Sequence, residues 1–187
     1  MLNLKIFSTE NSKYSIPELK LKFKEDTFFE LSENLIGIEY FGDSHEYIDI
    51  LKTAKSVGLS QFLFTSKKFL GTINYLVKER FTLEKINFVY PLKDDSKEFV
   101  SKQIEGIYAA DEKQNLIDKY LSNLLAEIEW LAVDGCIDIE SISFDYQSQE
   151  TRLYQRLSIY NNGVAVLASR KDVLILSKLL KNTRSSN

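Results

Sequence analysis

Residues 35 to 90 read LIGIEYFGDSHEYIDILKTAKSVGLSQFLFTSKKFLGTINYLVKERFTLEKINFVY, and the parsing of this stretch decides the expected fold. Leu35 to Phe41 is apolar on both faces, as in a buried strand. Gly42, Asp43 and Ser44 open a helix through Val57, with Asp43 and Glu46 at capping-box spacing and Gly58 where helices commonly close. Gln61 to Thr65 forms a second apolar strand, Ser66 caps a helix to about Arg80, and Glu84 to Tyr90 is a third strand stopped by Pro91. Strand, helix, strand, helix, strand is the order that builds parallel sheets with right-handed crossovers. The stretch therefore predicts a small Rossmann-like parallel α/β centre.

Toward the N-terminus, Leu2, Leu4 and Ile6 alternate with Asn3, Lys5 and Phe7 as a first strand. From Pro17 to Lys24, Leu19, Leu21 and Phe23 interleave with Lys20, Lys22 and Lys24, a two-residue period that predicts a strand with three ammonium groups on one face. Thr27 to Leu31 is its return strand, giving an N-terminal β-hairpin.

Toward the C-terminus, Asp95 and Glu98 open a helix carrying Phe99, Val100, Ile104, Ile107 and Tyr108. A second stripe follows at Leu116, Ile117, Tyr120, Leu121, Leu124, Leu125, Ile128 and Leu131. The two stripes are out of phase at 3.6 residues per turn, so either the helix breaks around Ala109 to Glu112 or one long helix serves two partners. Ile137 and Ile139 fall in one strand phase and Ile142 and Phe144 in the other, which predicts a bulge near Glu140 and Ser141. Arg152 to Tyr160 and Val164 to Ala168 flank Asn161, Asn162 and Gly163, residues that tolerate the positive φ of tight hairpins. Ser169 and Asp172 cap a final helix bearing Val173, Leu176, Leu179 and Leu180. The fold class is thus mixed, α/β or α+β: an N-terminal β-hairpin, the parallel centre, an acidic helical segment, and a C-terminal antiparallel hairpin plus helix. Residues 1–187 are expected to form a single compact domain, with 1–93 and 94–187 as its natural subdivisions.

Charge is distributed unevenly. From Asp94 to Glu150 there are fourteen Asp and Glu against four Lys, and from Thr151 onward seven Lys and Arg against Asp172 alone. Such a split gives either opposed acidic and basic surfaces or elements that neutralise one another. The overall charge of -3 disfavours a general nucleic-acid binder, whose affinity comes from neutralising phosphates. Cys136 is the sole cysteine; it cannot form an intramolecular disulfide or a Cys-based structural zinc site, and it reads as a small buried residue at a strand start. There is no apolar run of the roughly 20 residues a membrane span needs, and Met1 to Phe7 lacks a signal-peptide pattern. No membrane association is expected, and the cytoplasm is the expected compartment.

Candidate chemistry is sparse. In a parallel sheet, ligands sit at the carboxyl ends of the strands, which would place Asp43, Ser44 and His45, the only histidine, in a small polar site fit for acid–base work. Helix capping explains Asp43 or Ser44 equally well. Glycine-rich phosphate cradles and a Gly-x-Ser-x-Gly turn are missing, and no cofactor or metal is expected. The 152–160 segment is more distinctive. Arg152, Tyr154, Arg156, Ser158 and Tyr160 share one strand face, and Arg and Tyr are enriched at the energetic centres of protein interfaces. Together with Asp118, Glu127 and Glu129 of the acidic helix, they are the expected partner-binding residues. The favoured function is a non-enzymatic protein-interaction module, such as an immunity, inhibitor or accessory subunit in a bacterial or phage system, whose partner is another protein or a second copy. The alternatives are a small enzyme using His45, and a nucleic-acid-binding accessory subunit using Lys20, Lys22 and Lys24 or the basic C-terminal segment.

Overall fold

The structure, a computed structural model, describes residues 1–41, 44–110, 113–147 and 152–184, apart from the side chains at 44, 183 and 184. Among the described residues there are eight strands and six α-helices, and every strand pairing is antiparallel. The fold is mixed α+β. The chain divides into two compact units, one built from Met1–Leu63 with Arg156–Ser185 and the other from Phe64–Gln155.

The first unit contains β1 (Leu2–Ser8), α1 (Ile16–Phe23), β2 (Phe28–Ser32), β3 (Leu35–Tyr40), α2 (Ser44–Ser56) and the two-residue β4 (Ser60–Gln61). The chain returns to it at Arg156, within β7 (Tyr154–Tyr160), and continues with β8 (Val164–Leu167) and α6 (Val173–Arg184). Its strands lie in the order β2, β3, β1, β8, β7. One sheet face, carrying Phe7, Phe28, Ile36 and Ile38, is packed by Leu19 and Phe23 of α1 and by Ala54 and Val57 of α2. On the other face α6 lies against β2, where the Ser177 hydroxyl donates to the Leu31 carbonyl. The Glu39 carboxylate, 8% exposed, meets Arg170 there at 2.5 Å, and that guanidinium also stacks over Phe29.

The edge of β1 opposite β3 is shared. β8 pairs with Leu2 to Lys5 and β4 pairs with Phe7 and Ser8. Between them, Ile6 donates its N–H to Gly163 O at 2.8 Å and accepts from Phe62 N at 3.1 Å. The Asn161-Asn162-Gly163 turn thus fills the gap, with Gly163 at φ +77°. Lys5 is fully buried beside this turn, and its ammonium donates to the Asn162 carbonyl.

The second unit contains α3 (Ser66–Lys78), β5 (Thr82–Phe88), α4 (Asp94–Ala109), α5 (Gln114–Val133) and β6 (Ile139–Gln147). β5 and β6 pair with two register shifts. The one between Asn87/Phe88 and Ser141/Ile139 leaves Glu140 as the extra residue, which is the bulge expected from the phase change. The out-of-phase stripes resolve as two helices, α4 and α5, packed on each other. At Gly106 they approach so closely that a Cβ would stand 2.5 Å from the Tyr120 ring.

The parallel Rossmann-like centre is overturned. β3 has both edges filled by the antiparallel neighbours β1 and β2, only Gln61 of the 61–65 segment is strand, at the end of the short β4, and β5 pairs antiparallel with β6. Within 35–90 the expected order of strand, helix, strand, helix, strand is present, with the middle strand reduced to β4, but that order carries no information about pairing, which distant segments decide. The N-terminal hairpin is also corrected. Residues 16–23 are a helix, started by Ser15, whose N–H and hydroxyl both reach the Glu18 carboxylate at 2.8 and 2.7 Å, and by Pro17 in the first turn. Leu19 and Phe23 are four apart and buried, whereas Leu21 is 85% exposed, so the helical period decided over the two-residue one. The hairpin in this region joins β2 to β3 instead. Thr65, not Ser66, caps α3, accepting from Lys68 N at 3.4 Å. Cys136 is exposed at φ +52°, not buried at a strand start.

Candidate functional site

The register of the first unit aligns one row of side chains across four strands. Tyr40 on β3 faces Asn3 on β1, Asn3 faces Val166 on β8, and Val166 faces Ser158 on β7. Opposed residues project from the same face. Arg156 and Tyr160, each two residues from Ser158, project there too. Arg156 is exposed and Tyr160 is 36% exposed, while Asn3, Tyr40, Ser158 and Val166 are half-buried.

From α2, Tyr47 brings its ring to 5.2 Å from that of Tyr40 at a tilt of 52°, a favourable aromatic geometry. Burial raises the Tyr40 hydroxyl above its ordinary pKa, and the neighbouring Tyr47 and Tyr160 phenols push it the same way. Burial raises Tyr47 as well. Tyr40 and Tyr47 are thus held neutral, and with Tyr160 their rings form one cluster at the junction of the sheet and α2, able to donate and accept hydrogen bonds.

Of the residues expected on the β7 face, Tyr160 joins this cluster, and Arg156 shares the face on the other side of Ser158. Tyr154 starts the strand and is 74% exposed. Arg152 lies before β7 at φ +56°, and its carbonyl accepts the Gln147 amide at 3.0 Å, so the two-residue period does not extend to it. Tyr40, Tyr47 and Asn3 were missed, because nothing local in the sequence links them to residue 160; only the β3-β1-β8-β7 order does.

Of the acid–base trio only His45 is described with its side chain. Asp43 and the Ser44 side chain lie outside the described residues. His45 is exposed in the first turn of α2, and the Glu46 carboxylate accepts the Phe41 N–H at 2.7 Å as a helix-start cap. Among the described residues no group of three His, Cys, Asp or Glu could hold a metal ion. The lysine ladder is dissolved by the α1 helix: Lys20 pairs with Glu30 at 2.7 Å, Lys22 sits over the Tyr14 ring, and Lys24 is the C-cap at φ +65°.

In the second unit, the acids of α5 separate. Asp118 and Glu129 are exposed and Glu127 is half-buried. Asp118 and Glu129 line an open groove of about 790 Å³ against α3, with Leu121 and Leu125 on its floor and Asn74 and Lys78 on the far wall. No helix among the described residues is long and apolar enough to cross a membrane. Neither a protein-family model, nor a curated protein, nor a solved structure matches this chain.

Proposed function

We propose that the chain is a cytoplasmic, non-enzymatic protein-interaction module, an immunity, inhibitor or accessory subunit of a bacterial or phage system. The observation that carries this reading is the shared sheet face bearing Tyr40, Tyr160 and Arg156, with the Tyr47 ring tilted against Tyr40. Tyr and Arg supply a large share of binding energy at protein interfaces. Tyrosine does so with few rotatable bonds, and rings held by paired strands and by each other lose little further freedom on binding. The α5 acids Asp118 and Glu129 offer a second contact region in the other unit.

The test is co-expression of the tagged chain with its genomic neighbours, followed by the mass of the purified species. A stoichiometric partner is expected, and Arg156→Glu with Tyr160→Ala should release it while leaving the circular dichroism spectrum unchanged. A chain recovered alone, or a partner held equally well by the double variant, would defeat the proposal.

A further inference from the structure

We infer that the groove between α3 and α5 docks a basic amphipathic helix of another protein. This deepens the interaction reading above by naming the partner of the α5 acids. Asp118, Leu121, Ser122, Leu125, Ala126 and Glu129 recur at the i, i+3, i+4, i+7, i+8, i+11 spacing of a single helix face. α5 uses a neighbouring stripe, Leu121, Leu124, Ile128 and Leu131, for its own core. Leu121 is buried and shared with that stripe, but among the described residues the rest of the groove face is open: Leu125 is half-buried, and Ser122 and Ala126 are exposed. Their small side chains leave room for a second backbone to come close.

The charges select the occupant. Asp118 and Glu129 flank the apolar part of the floor, three helical turns or about 16 Å apart, with Gln114 one turn beyond Asp118. Asp118 accepts only the neutral Gln114 amide, at 3.0 Å, and neither carboxylate makes an ion pair among the described residues. Phe64–Gln155 as a whole carries sixteen Asp and Glu against eleven Lys and Arg, which attracts a cation from a distance. On the far wall Lys78 repels one. A bound helix would therefore turn its basic edge toward α5. Its pattern follows from the floor: two Lys or Arg about eleven residues apart, with apolar residues at three, four, seven and eight after the first. Laying such a face between two helices is a common mode of peptide recognition.

The experiment is fluorescence anisotropy of the full chain with a labelled 16-residue peptide of this pattern, a scrambled peptide of equal composition, and a version with Glu in place of the two Lys. The patterned Lys peptide is expected to bind. Asp118→Lys with Glu129→Lys should weaken it at least about tenfold, since two ion pairs become two repulsions, and should gain affinity for the Glu peptide. Ala126→Arg, which fills the exposed floor, should also abolish binding. Failure of the Lys peptide to bind, equal binding of the scrambled peptide, or equal binding by the charge-reversed variant would overturn the proposal. So would occupation of the groove by a second copy, seen as a dimer that the peptide does not dissociate. Arg156→Glu with Tyr160→Ala should bind the peptide like the wild type, so loss of the groove and loss of the tyrosine face are read separately.

Discussion

Replacing Lys5 with Met removes a charge from the interior of the first unit while nearly preserving the shape of the side chain. Lys5 is fully buried, its ammonium donates to Asn162 O, and it lies over the Phe7 ring, 5.7 Å from the ring centre. Burial in this apolar surrounding pushes its pKa from 10.5 down to about 8. The sign follows from proton counting. Below pH 8 both folded and unfolded chains hold the proton, and the full desolvation penalty opposes folding. Between pH 8 and 10.5 the unfolded chain holds more protons than the folded one, so stability rises with pH; above 10.5 both are neutral and the penalty has gone. At about 1.36 kcal/mol per pH unit, the penalty amounts to about 3 kcal/mol. Lys5→Met carries no such term, although it leaves the Asn162 carbonyl without its donor, a loss of about 1–3 kcal/mol that does not vary with pH. Urea unfolding of both proteins by circular dichroism, in steps from pH 7 to 10.5, should show the wild type gaining about 3 kcal/mol on the variant. Taking the difference cancels the tyrosines and other groups that titrate in both. A difference that stays flat would refute a buried, charged Lys5.

Two glycines give further tests. Gly163→Ala forces a side chain onto φ +77° and into the Phe62 carbonyl oxygen, and should destabilise the fold by about 3 kcal/mol or more, read as a fall in Tm; an unchanged Tm would mean that the turn is not wedged against residue 62. Gly106→Ala places a Cβ 2.5 Å from the Tyr120 ring and should cost about 1–3 kcal/mol. Tyr120→Leu in the same chain should recover much of that loss, and failure to recover would show that α4 and α5 do not meet through this pair.

Much of the local structure was legible in the sequence, because it depends on neighbours along the chain. The Ser169 and Asp172 cap, with the serine N–H 2.8 Å from the carboxylate, is set by a three-residue spacing. The Asn-Asn-Gly turn, the Glu140 bulge, the end of α2 at Gly58 and the buried positions of α6 were likewise local periods or local backbone preferences. Residues 16–23 were misread because eight residues satisfy both periods at once: Leu19, Leu21 and Phe23 alternate, yet Leu19 and Phe23 are also one helical turn apart. There the Ser15–Glu18 box and Pro17 were the better guide, since they act only on a helix.

Pairing between distant strands was decided by tertiary structure alone. A run such as Leu35 to Tyr40 is apolar on both faces whether its neighbours run parallel or antiparallel, so its composition cannot name them. Only the folded sheet puts β1 and β2 beside it and brings Tyr40 into one row with Ser158, 118 positions later in the chain. For the same reason the alternation of Asn3, Lys5 and Phe7 with Leu2, Leu4 and Ile6 marks a strand but does not say that Lys5 is enclosed. Its burial comes from the turn at 161–163 and the chain at 62 closing over the end of β8, contacts that no periodicity near residue 5 encodes. Sequence determined which segments become helix or strand wherever a spacing acts within a few residues, and tertiary structure determined which strands pair and which polar groups are enclosed, because those choices balance hydrogen bonds and burial across the whole chain.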